Sequence, residues 1–286
     1  MLSAFFECFS LASKSMPSNK SNVSTGALLR DSSWTVNRRV VGALLLRELL
    51  TRYGRNNIGF LWLFIEPMLF TLAITIVWSA FRSVHSSSIP IVAFALTGYS
   101  SLLMWRNMPG RCVGALKSNM SLLFHRQVTV IDIYTARILL EFMATSTSFV
   151  VLGIVFYSME WLPAPEDPLQ VLAGWVLLGW FGAGLALTIG GLSEKFDLVA
   201  KLWPPMSYFL MPLSGVAYIA DALPQNAREI ALYLPMFNAL EYLREGWFGS
   251  LMTAHYDVGY VAAVNAVLTF AGLSLARQAQ LDTSEE

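Results

Sequence analysis

The stretch RYGRNNIGFLWLFIEP, residues 52–67, passes within sixteen positions from a basic, polar segment to a long apolar run. Arg52 and Arg55 are costly to place in hydrocarbon, whereas residues 60–81, apart from Glu66, are compatible with it. A helix of that length rises about 33 Å, which is enough to cross a bilayer. The junction therefore predicts an integral membrane protein and its first transmembrane helix.

The composition agrees with this interpretation. Apolar residues make up 55% of the 286 positions and charged residues only 13%, and the charges gather between the apolar runs. The net charge is zero, so nothing indicates a nucleic-acid partner. The two cysteines, Cys8 and Cys112, provide no disulfide framework.

Six apolar runs predict an all-α integral membrane fold with six transmembrane helices. The runs cover residues 60–81, 89–105, 138–157, 169–192, 202–219 and 258–276. If the N-terminus is cytoplasmic, sixteen of the nineteen Lys and Arg residues lie on the cytoplasmic side, including Arg106 in the second-to-third connection. This bias predicts that both termini are cytoplasmic.

Three segments between the runs have their own predicted structure. Residues 42–53 form an interfacial helix, with Leu45, Leu49 and Leu50 on its apolar face and Leu44 out of register. The basic connection 106–136 carries apolar residues, which suits either docking on a soluble partner or packing beneath the membrane. Residues 221–257 form two short external re-entrant helices between spans five and six, with a start at Pro224 and a break at Pro235.

These elements give a division of the chain into four parts. Residues 1–33 are an N-terminal tail, 34–59 the interfacial helix with its entrance turn, 60–277 the transmembrane domain, and 278–286 a cytoplasmic tail.

Catalytic and metal-binding patterns are absent from the sequence. His85, His125 and His255 are scattered over both sides, so no metal site is predicted. With no nucleotide-binding loop in this chain, any ATP-driven work must come from another chain. Glu141 is expected to pair with Arg137 four residues earlier on the same helix.

Other positions leave alternatives open. Glu66 suits a pathway lining or a structural bond about equally. The small residues Gly182, Ala186 and Gly190 allow close helix approach, either within one subunit or across a dimer. Trp62 and Trp105 suit interface anchors, or rings that stack on sugars along a conduit.

Two motifs carry a resemblance to a known family. Arg52-Tyr53-Gly54-Arg55, followed by Gly59-Phe60-Leu61-Trp62 and Glu66-Pro67, resembles the opening of the membrane subunits of type-2 ABC exporters, in particular those that export capsular polysaccharide. The segment LPMFNALEYLR, residues 234–244, is similar to the Pro…Glu-x-x-Arg segment before the last span of those permeases.

The resemblance implies a permease subunit rather than an enzyme. Two copies would form a homodimer around a channel, and two separate ABC ATPase subunits would bind ATP and Mg. The cargo would be a lipid-linked polysaccharide that leaves the bacterial inner membrane toward a periplasmic and outer-membrane partner of the polysaccharide co-polymerase type.

The resemblance also implies roles for residues that match the family pattern. Glu241 and Arg244 would brace the external re-entrant helices. The cytoplasmic entrance would include Arg47, Arg52, Tyr53 and Arg55, and the ATPase coupling region would include Leu123, Phe124, Arg126, Ile131 and Asp132. Independently of the resemblance, the candidate residues for a substrate pathway are Trp62, Glu66, Tyr99 and Trp105.

Alternatives within and outside this class remain at this point. The same mechanism would serve an O-antigen, a teichoic-type polymer or a small lipophilic molecule. An integral-membrane glycosyl or acyl transferase would need a polar catalytic pair, for which Glu66 and Glu141 are the candidates. An ion-coupled transporter would need inverted repeats and midplane acids.

Overall fold

The computed structural model describes residues 33–53, 57–81, 89–123 and 128–285, and in this part of the chain it contains helices and turns but no strand. The all-α prediction is confirmed. Residues 1–32 of the predicted N-terminal tail (1–33) are outside the described residues. In chain order the helices are α1 (Ser33–Tyr53), α2 (Asn57–Phe81), α3 (Ile91–Cys112), α4 (Met120–Leu123), α5 (Val130–Ser158), α6 (Pro168–Lys195), α7 (Asp197–Leu213), α8 (Gln225–Leu232), α9 (Pro235–Phe248) and α10 (Val258–Glu285).

Three of these helices are long and apolar enough to cross a bilayer. They are α5, α6 and the Val258–Asp282 portion of α10, while α2 contains a shorter apolar stretch, Ile65–Trp78. Large apolar side chains on these helices point away from the protein, such as Leu169 on α6 and Phe270 on α10, which are 74% and 77% exposed. This pattern suits contact with lipid. Crossing by all six predicted spans stays a prediction.

α3 is polar because it is enclosed by protein. It packs against α2, α5, α6 and α9, and Thr97, Ser100 and Ser101 are each at most 1% exposed. Thr97 Oγ1 donates to the carbonyl oxygen of Ala93 at 2.8 Å, so its hydroxyl is satisfied within the helix. A helix surrounded by other helices can carry hydroxyls that a lipid-facing helix would place in hydrocarbon at a cost.

The small residues of α6 permit its close approach to α3. A Cβ atom on Gly182 would lie 3.2 Å from Trp105 Cα, and one on Gly190 would lie 2.9 Å from Cys112 Cβ. Ala186 between them is fully buried. The stripe therefore packs within one chain, which decides between the two alternatives that the sequence left open.

Several predicted span boundaries are wrong. The second predicted span ended at residue 105, yet α3 continues to Cys112, so Arg106 and Arg111 belong to the helix and not to a connection. The fifth predicted span covered 202–219, whereas α7 runs Asp197–Leu213 with Pro204, Pro205 and Pro212 inside it. The predicted runs ended next to charged residues, whereas α3 continues past Arg106 and Arg111, and Arg111 is paired there with Glu141 of α5.

The amphipathic face of α1 is also corrected. Leu44 and Leu49 are buried, while Leu50, which was predicted to share the apolar face, is 50% exposed. Leu49 packs against Leu140 and Ala144 of α5. Leu44, which was predicted to be out of register, therefore belongs to the packed face and forms part of the main hydrophobic core.

The segment 221–257, which was predicted to be external, contains two short helices, α8 and α9. Pro224 caps the start of α8 and Pro235 occupies the first turn of α9, so the predicted start and break are confirmed. At the other end of the chain, residues 278–285 continue α10 without a break, where a separate tail was predicted.

We predict that Gly182→Val destabilises the protein by about 1–3 kcal/mol or more, because the added side chain collides with the backbone of α3. The measurement is the midpoint of thermal unfolding of detergent-purified protein. The matched control is Gly153→Val on α5, where the nearest heavy atom to an added Cβ is Leu96 Cδ2 at 4.0 Å. Equal midpoints for the two variants would contradict the proposed importance of the α3–α6 contact.

Candidate functional site

A group of charged side chains joins α1, α3 and α5 at the end of the bundle predicted to be cytoplasmic. Arg137 Nε lies 3.3 Å from Glu48 Oε1, with both side chains mostly buried. The Arg137 guanidinium also donates to the carbonyl oxygen of Arg111 at 2.6 Å and to Ser118 Oγ at 2.9 Å. One arginine thus contacts three separate segments of the chain.

The expected partner of Glu141 is wrong. Its carboxylate pairs with Arg111 Nε at 3.0 Å, and not with Arg137 four residues earlier. Glu141 pairs with Arg111 because α3 extends to Cys112, which places Arg111 beside α5. Spacing along a single helix could not have indicated this, because the pair joins two helices.

The predicted entrance helix contacts the same region. Arg47 Nη1 donates a hydrogen bond to Asn119 Oδ1, and Asn119 Nδ2 donates to the carbonyl oxygen of Ala115 at 2.8 Å. Arg52 and Tyr53 lie in the last turn of α1, but their side chains lie outside the described part, as does the whole of Arg55. α1 is therefore joined to the Lys117–Asn119 turn through Arg47 and to α5 through Glu48.

The predicted coupling residues occupy different environments. Leu123 is partly buried, Ile131 is 37% exposed, and Phe124 and Arg126 lie outside the described residues. Asp132 is buried at the start of α5, where its carboxylate accepts from the Thr129 N–H at 2.9 Å and completes a capping box. Of this set, Ile131 is the described side chain most available to a partner protein.

Two further contacts hold this region in place. The backbone N–H of Val130 donates to Gln280 Oε1 of α10 at 2.6 Å. Lys117 and Asp197 form an exposed ion pair at 2.8 Å. Hydrogen bonding to Asp197 raises the pKa of Lys117, and the same bond lowers the pKa of Asp197, so both groups remain charged at neutral pH.

We predict that Arg137→Ala costs about 3 kcal/mol of stability, because it removes the buried ion pair with Glu48 and the hydrogen bonds to the Arg111 carbonyl and to Ser118. Thermal unfolding in detergent measures the loss. Lys117→Ala is the control, since it breaks an exposed pair that water screens and should leave the midpoint unchanged. A midpoint for Arg137→Ala equal to that of Lys117→Ala would contradict the role of the buried pair.

The predicted pathway residues do not form one surface within a single chain. Trp62 is 51% exposed and Glu66 is partly buried, both on α2. Tyr99 and Trp105 on α3 are 8% and 1% exposed, so the Trp105 indole contacts protein in this conformation. The pathway role of all four stays a prediction. Sequence reasoning did not single out Arg106, which follows Trp105 and is partly exposed.

A fully buried arginine joins the segment that was predicted to be external to the rest of the bundle. Arg244 Nη1 donates to the carbonyl oxygens of Gly215 at 2.6 Å and Tyr218 at 2.9 Å, and Nη2 donates to that of Val216 at 2.9 Å. Its Cζ atom lies 3.8 Å from the centroid of the Phe94 ring. Arg244 therefore holds the turn after α7 against the start of α3.

Glu241 contacts the next part of the same turn. Its Oε1 atom accepts from the Ala220 N–H at 3.1 Å. Burial raises the pKa of Glu241, while that hydrogen bond and the Arg244 guanidinium act in the opposite direction. Glu241 and Arg244 thus form hydrogen bonds with different backbone groups of the turn after α7. Their predicted bracing role is compatible with these contacts.

We predict that Arg244→Met lowers stability by about 3 kcal/mol or more, because it leaves several buried carbonyl oxygens without a donor. Arg244→Lys should not restore stability, since an ammonium group cannot reproduce the planar fork of donors. Thermal unfolding is again the measurement, with the exposed Glu229→Gln on α8 as the control. Recovery of the wild-type midpoint by Arg244→Lys would contradict this account.

Comparison with known proteins places this architecture in a family. Residues 39–248, from α1 to the end of α9, match the ABC-2 type transporter family. The chain belongs to the ABC-2 type transporter family. The match spans the charged group on α1, α3 and α5 as well as the Arg244 anchor.

Individual relatives of this ABC-2 chain are similar over most of their length. It is 42% identical over 252 residues to the capsule polysaccharide export inner-membrane protein CtrC of Neisseria meningitidis, covering 87% of this chain and 95% of that protein. It is 37% identical over 245 residues to the capsule polysaccharide export inner-membrane protein BexB of Haemophilus influenzae, covering 86% and 92%. It is 26% identical over 246 residues to the polysialic acid transport protein KpsM of Escherichia coli, covering 86% and 95%.

Proposed function

We propose that this chain is the permease subunit of an ATP-driven ABC exporter that moves capsular polysaccharide across the bacterial inner membrane. The observation that carries the proposal is the 42% identity to CtrC, a capsule polysaccharide export inner-membrane protein, over 95% of its length. The match of residues 39–248 to the ABC-2 family supports the transport class. The apolar helices α5, α6 and α10 suit the membrane location.

The assembly that we propose contains two copies of this chain and two ABC ATPase subunits. The ATPases bind ATP and Mg, and their closure drives the permease pair between states. A lipid-linked polysaccharide is the proposed cargo, and a periplasmic and outer-membrane partner of the polysaccharide co-polymerase type is the proposed recipient. The family match supports the ATPase partner, since ABC transporters use ATP.

The proposed topology has six crossings, with both termini cytoplasmic. The unequal distribution of Lys and Arg between the two sides supports this topology. The longer α3 does not change this argument, because Arg111 and Arg137 lie near the helix ends that are proposed to be cytoplasmic. α8 and α9 are proposed to be re-entrant from the outside. The Arg244 anchor supports this, because it fixes α9 against the turn after α7 and α3.

The coupling region is proposed to lie between residues 117 and 134. Two observations support it. The exposed Met120 and Ile131 provide apolar contacts for a soluble ATPase. The bonds of Ser118 and Asn119 to Arg137 and Arg47 connect this region to α5 and to the entrance helix α1. An ATPase that moves the Lys117–Asn119 turn would therefore move α1 with it.

The enzyme alternative is weakened by the placement of its candidate pair. The Glu141 carboxylate is bonded to Arg111, which leaves it poorly suited to acid–base chemistry on a lipid substrate. In the described part of the chain, no group of His, Cys, Asp and Glu is arranged to hold a metal ion. The transport proposal needs neither.

The experiment is deletion of the gene and complementation in its host. Deletion should remove polysaccharide from the cell surface and leave it inside the cell, and the wild-type gene should restore export. Ile131→Asp should restore less than about a tenth of export and should reduce co-purification of the ATPase, because a charge enters an apolar contact.

The matched control is Ile230→Asp, the same change on the external helix α8, where the side chain is 69% exposed. It should leave ATPase co-purification normal. Normal surface polysaccharide in the deletion strain would contradict the proposed function. Normal export by Ile131→Asp, with the deletion strain defective, would contradict only the coupling region.

A further inference from the structure

Arg106 lies at the middle of the membrane-spanning bundle. The preceding residue, Trp105, has its Cα atom 3.2 Å from the position of a Cβ on Gly182. Gly182 is near the midpoint of α6, a 28-residue helix that is long and apolar enough to cross a bilayer. Arg106 is therefore about half-way across the bundle and not at its cytoplasmic edge.

An arginine at this depth is costly and needs a partner. In the described part of the chain, no carboxylate forms an ion pair with Arg106. Its Nε lies 3.4 Å from Ser207 Oγ, which is a long hydrogen bond, and its Cζ lies 3.9 Å from the centroid of the Tyr208 ring. These two contacts hold the guanidinium but do not neutralise its charge.

The two contacts also fix the orientation of the guanidinium. Ser207 Oγ donates to the carbonyl oxygen of Pro204 at 2.7 Å, so its lone pairs are left for Arg106. Tyr208 stacks against the planar group, and such stacking favours arginine over lysine. Nε thus faces α7, and within the described part of the chain the Nη atoms, with four N–H donors between them, have no hydrogen-bond acceptor and are available for a ligand.

The guanidinium is also reachable from outside the chain. Arg106 is partly exposed, and Tyr208 and the adjacent Phe209 are 61% and 70% exposed. Lysines and arginines at helix ends extend to the interface, but Arg106 is held at mid-depth by α7. The Arg106 guanidinium therefore lies at this depth at a cost, is held in one orientation, is not neutralised by any carboxylate that the structure describes, and is accessible from outside the chain. These are the properties of a group that binds an anionic ligand.

We propose that Arg106, oriented by Ser207 and Tyr208, binds an anionic group of the transported molecule at mid-membrane. The inference rests on the proposed transport function and deepens it by naming the charge of the cargo. A planar guanidinium binds phosphate or carboxylate through two parallel N–H donors, and these bonds strengthen where water is excluded. The anion has two sources, the phosphate of a lipid anchor or an acidic group on the sugar chain.

Binding measurements on purified protein separate these sources. The protein is placed in nanodiscs of phosphatidylcholine, and its tryptophan fluorescence is titrated with two probes. One is phosphatidic acid, which presents a lipid phosphate, and the other is a soluble oligogalacturonate, which presents sugar carboxylates. Arg106→Gln should weaken binding of at least one probe about tenfold or more, because a charged pair of hydrogen bonds is lost.

The matched control is Lys201→Gln, which removes an exposed positive charge from the first turns of α7 without touching Arg106. It should bind both probes as the wild type does. If Arg106→Gln does not fold, Tyr208→Leu serves instead, since it removes the stacking surface and should weaken binding severalfold. Loss with phosphatidic acid alone assigns the lipid phosphate, and loss with oligogalacturonate alone assigns the sugar acid.

A measurement in cells distinguishes failure of the Arg106 anion site from failure of the proposed transport function. Arg106→Gln should fail to restore surface polysaccharide to the deletion strain, whereas Arg106→Lys should restore part of it. If wild-type protein binds neither probe, or if the folded variant binds both as the wild type does, the anion site is wrong. Normal surface polysaccharide in the deletion strain would instead contradict the transport function.

Discussion

The close contact between α3 and α6 is the constraint on which the other features depend. Gly182 and Gly190 bring the two backbones together, with Trp105 and Cys112 opposite them. Since lipid gives helices no hydrophobic reason to associate with each other, dense packing of small residues has to supply that attraction. The contact encloses the polar stretch of α3 and places Arg106 and Arg111 at fixed depths.

The charges near the bundle end link elements that are far apart in sequence. Glu48, Arg111, Arg137 and Glu141 come from three helices, and each carboxylate finds its arginine on a different helix. Such pairs contribute little when exposed, but breaking one that is buried is costly, so the three helices hold a common arrangement. The Lys117–Asn119 turn joins this group through Ser118 and Asn119.

Much of the fold could be predicted from the sequence, because apolar runs, proline positions and small-residue spacing are local signals. They indicated helices at the six apolar runs, which correspond to α2, α3, α5, α6, α7 and α10, and also the break at Pro235 and the stripe on α6. The end of α3 could not be predicted, since hydropathy treats Arg106 and Arg111 as the end of an apolar run, and the groups that these two arginines contact lie on other helices. The ends of α7 also differ from the predicted run, because the helix begins at Asp197 and ends at Leu213, directly after Pro212. The packed face of α1 was missed for the same reason: α5 decides which leucines are buried.

The candidate site was predictable as a region and not as a set of contacts. Sequence patterns located α1, the predicted entrance helix, and the Glu241–Arg244 segment. The sequence could not indicate that Arg244 binds the backbone of residues 215–218. Every residue has a carbonyl oxygen, so the amino-acid type does not show which carbonyl oxygens accept hydrogen bonds from a distant arginine.

The continuity of α10 has a practical consequence. This helix runs unbroken from Val258 to Glu285, and near its end Gln280 Oε1 accepts a hydrogen bond from the N–H of Val130, the first residue of α5. If a rigid protein were fused to the C-terminal end of α10, its motion would be passed through Gln280 to the start of α5. The capping box of Thr129 and Asp132 would then be disturbed. A fluorescent or affinity label at that end therefore needs a flexible glycine-rich spacer, or the label itself will alter the region whose movements it is meant to report.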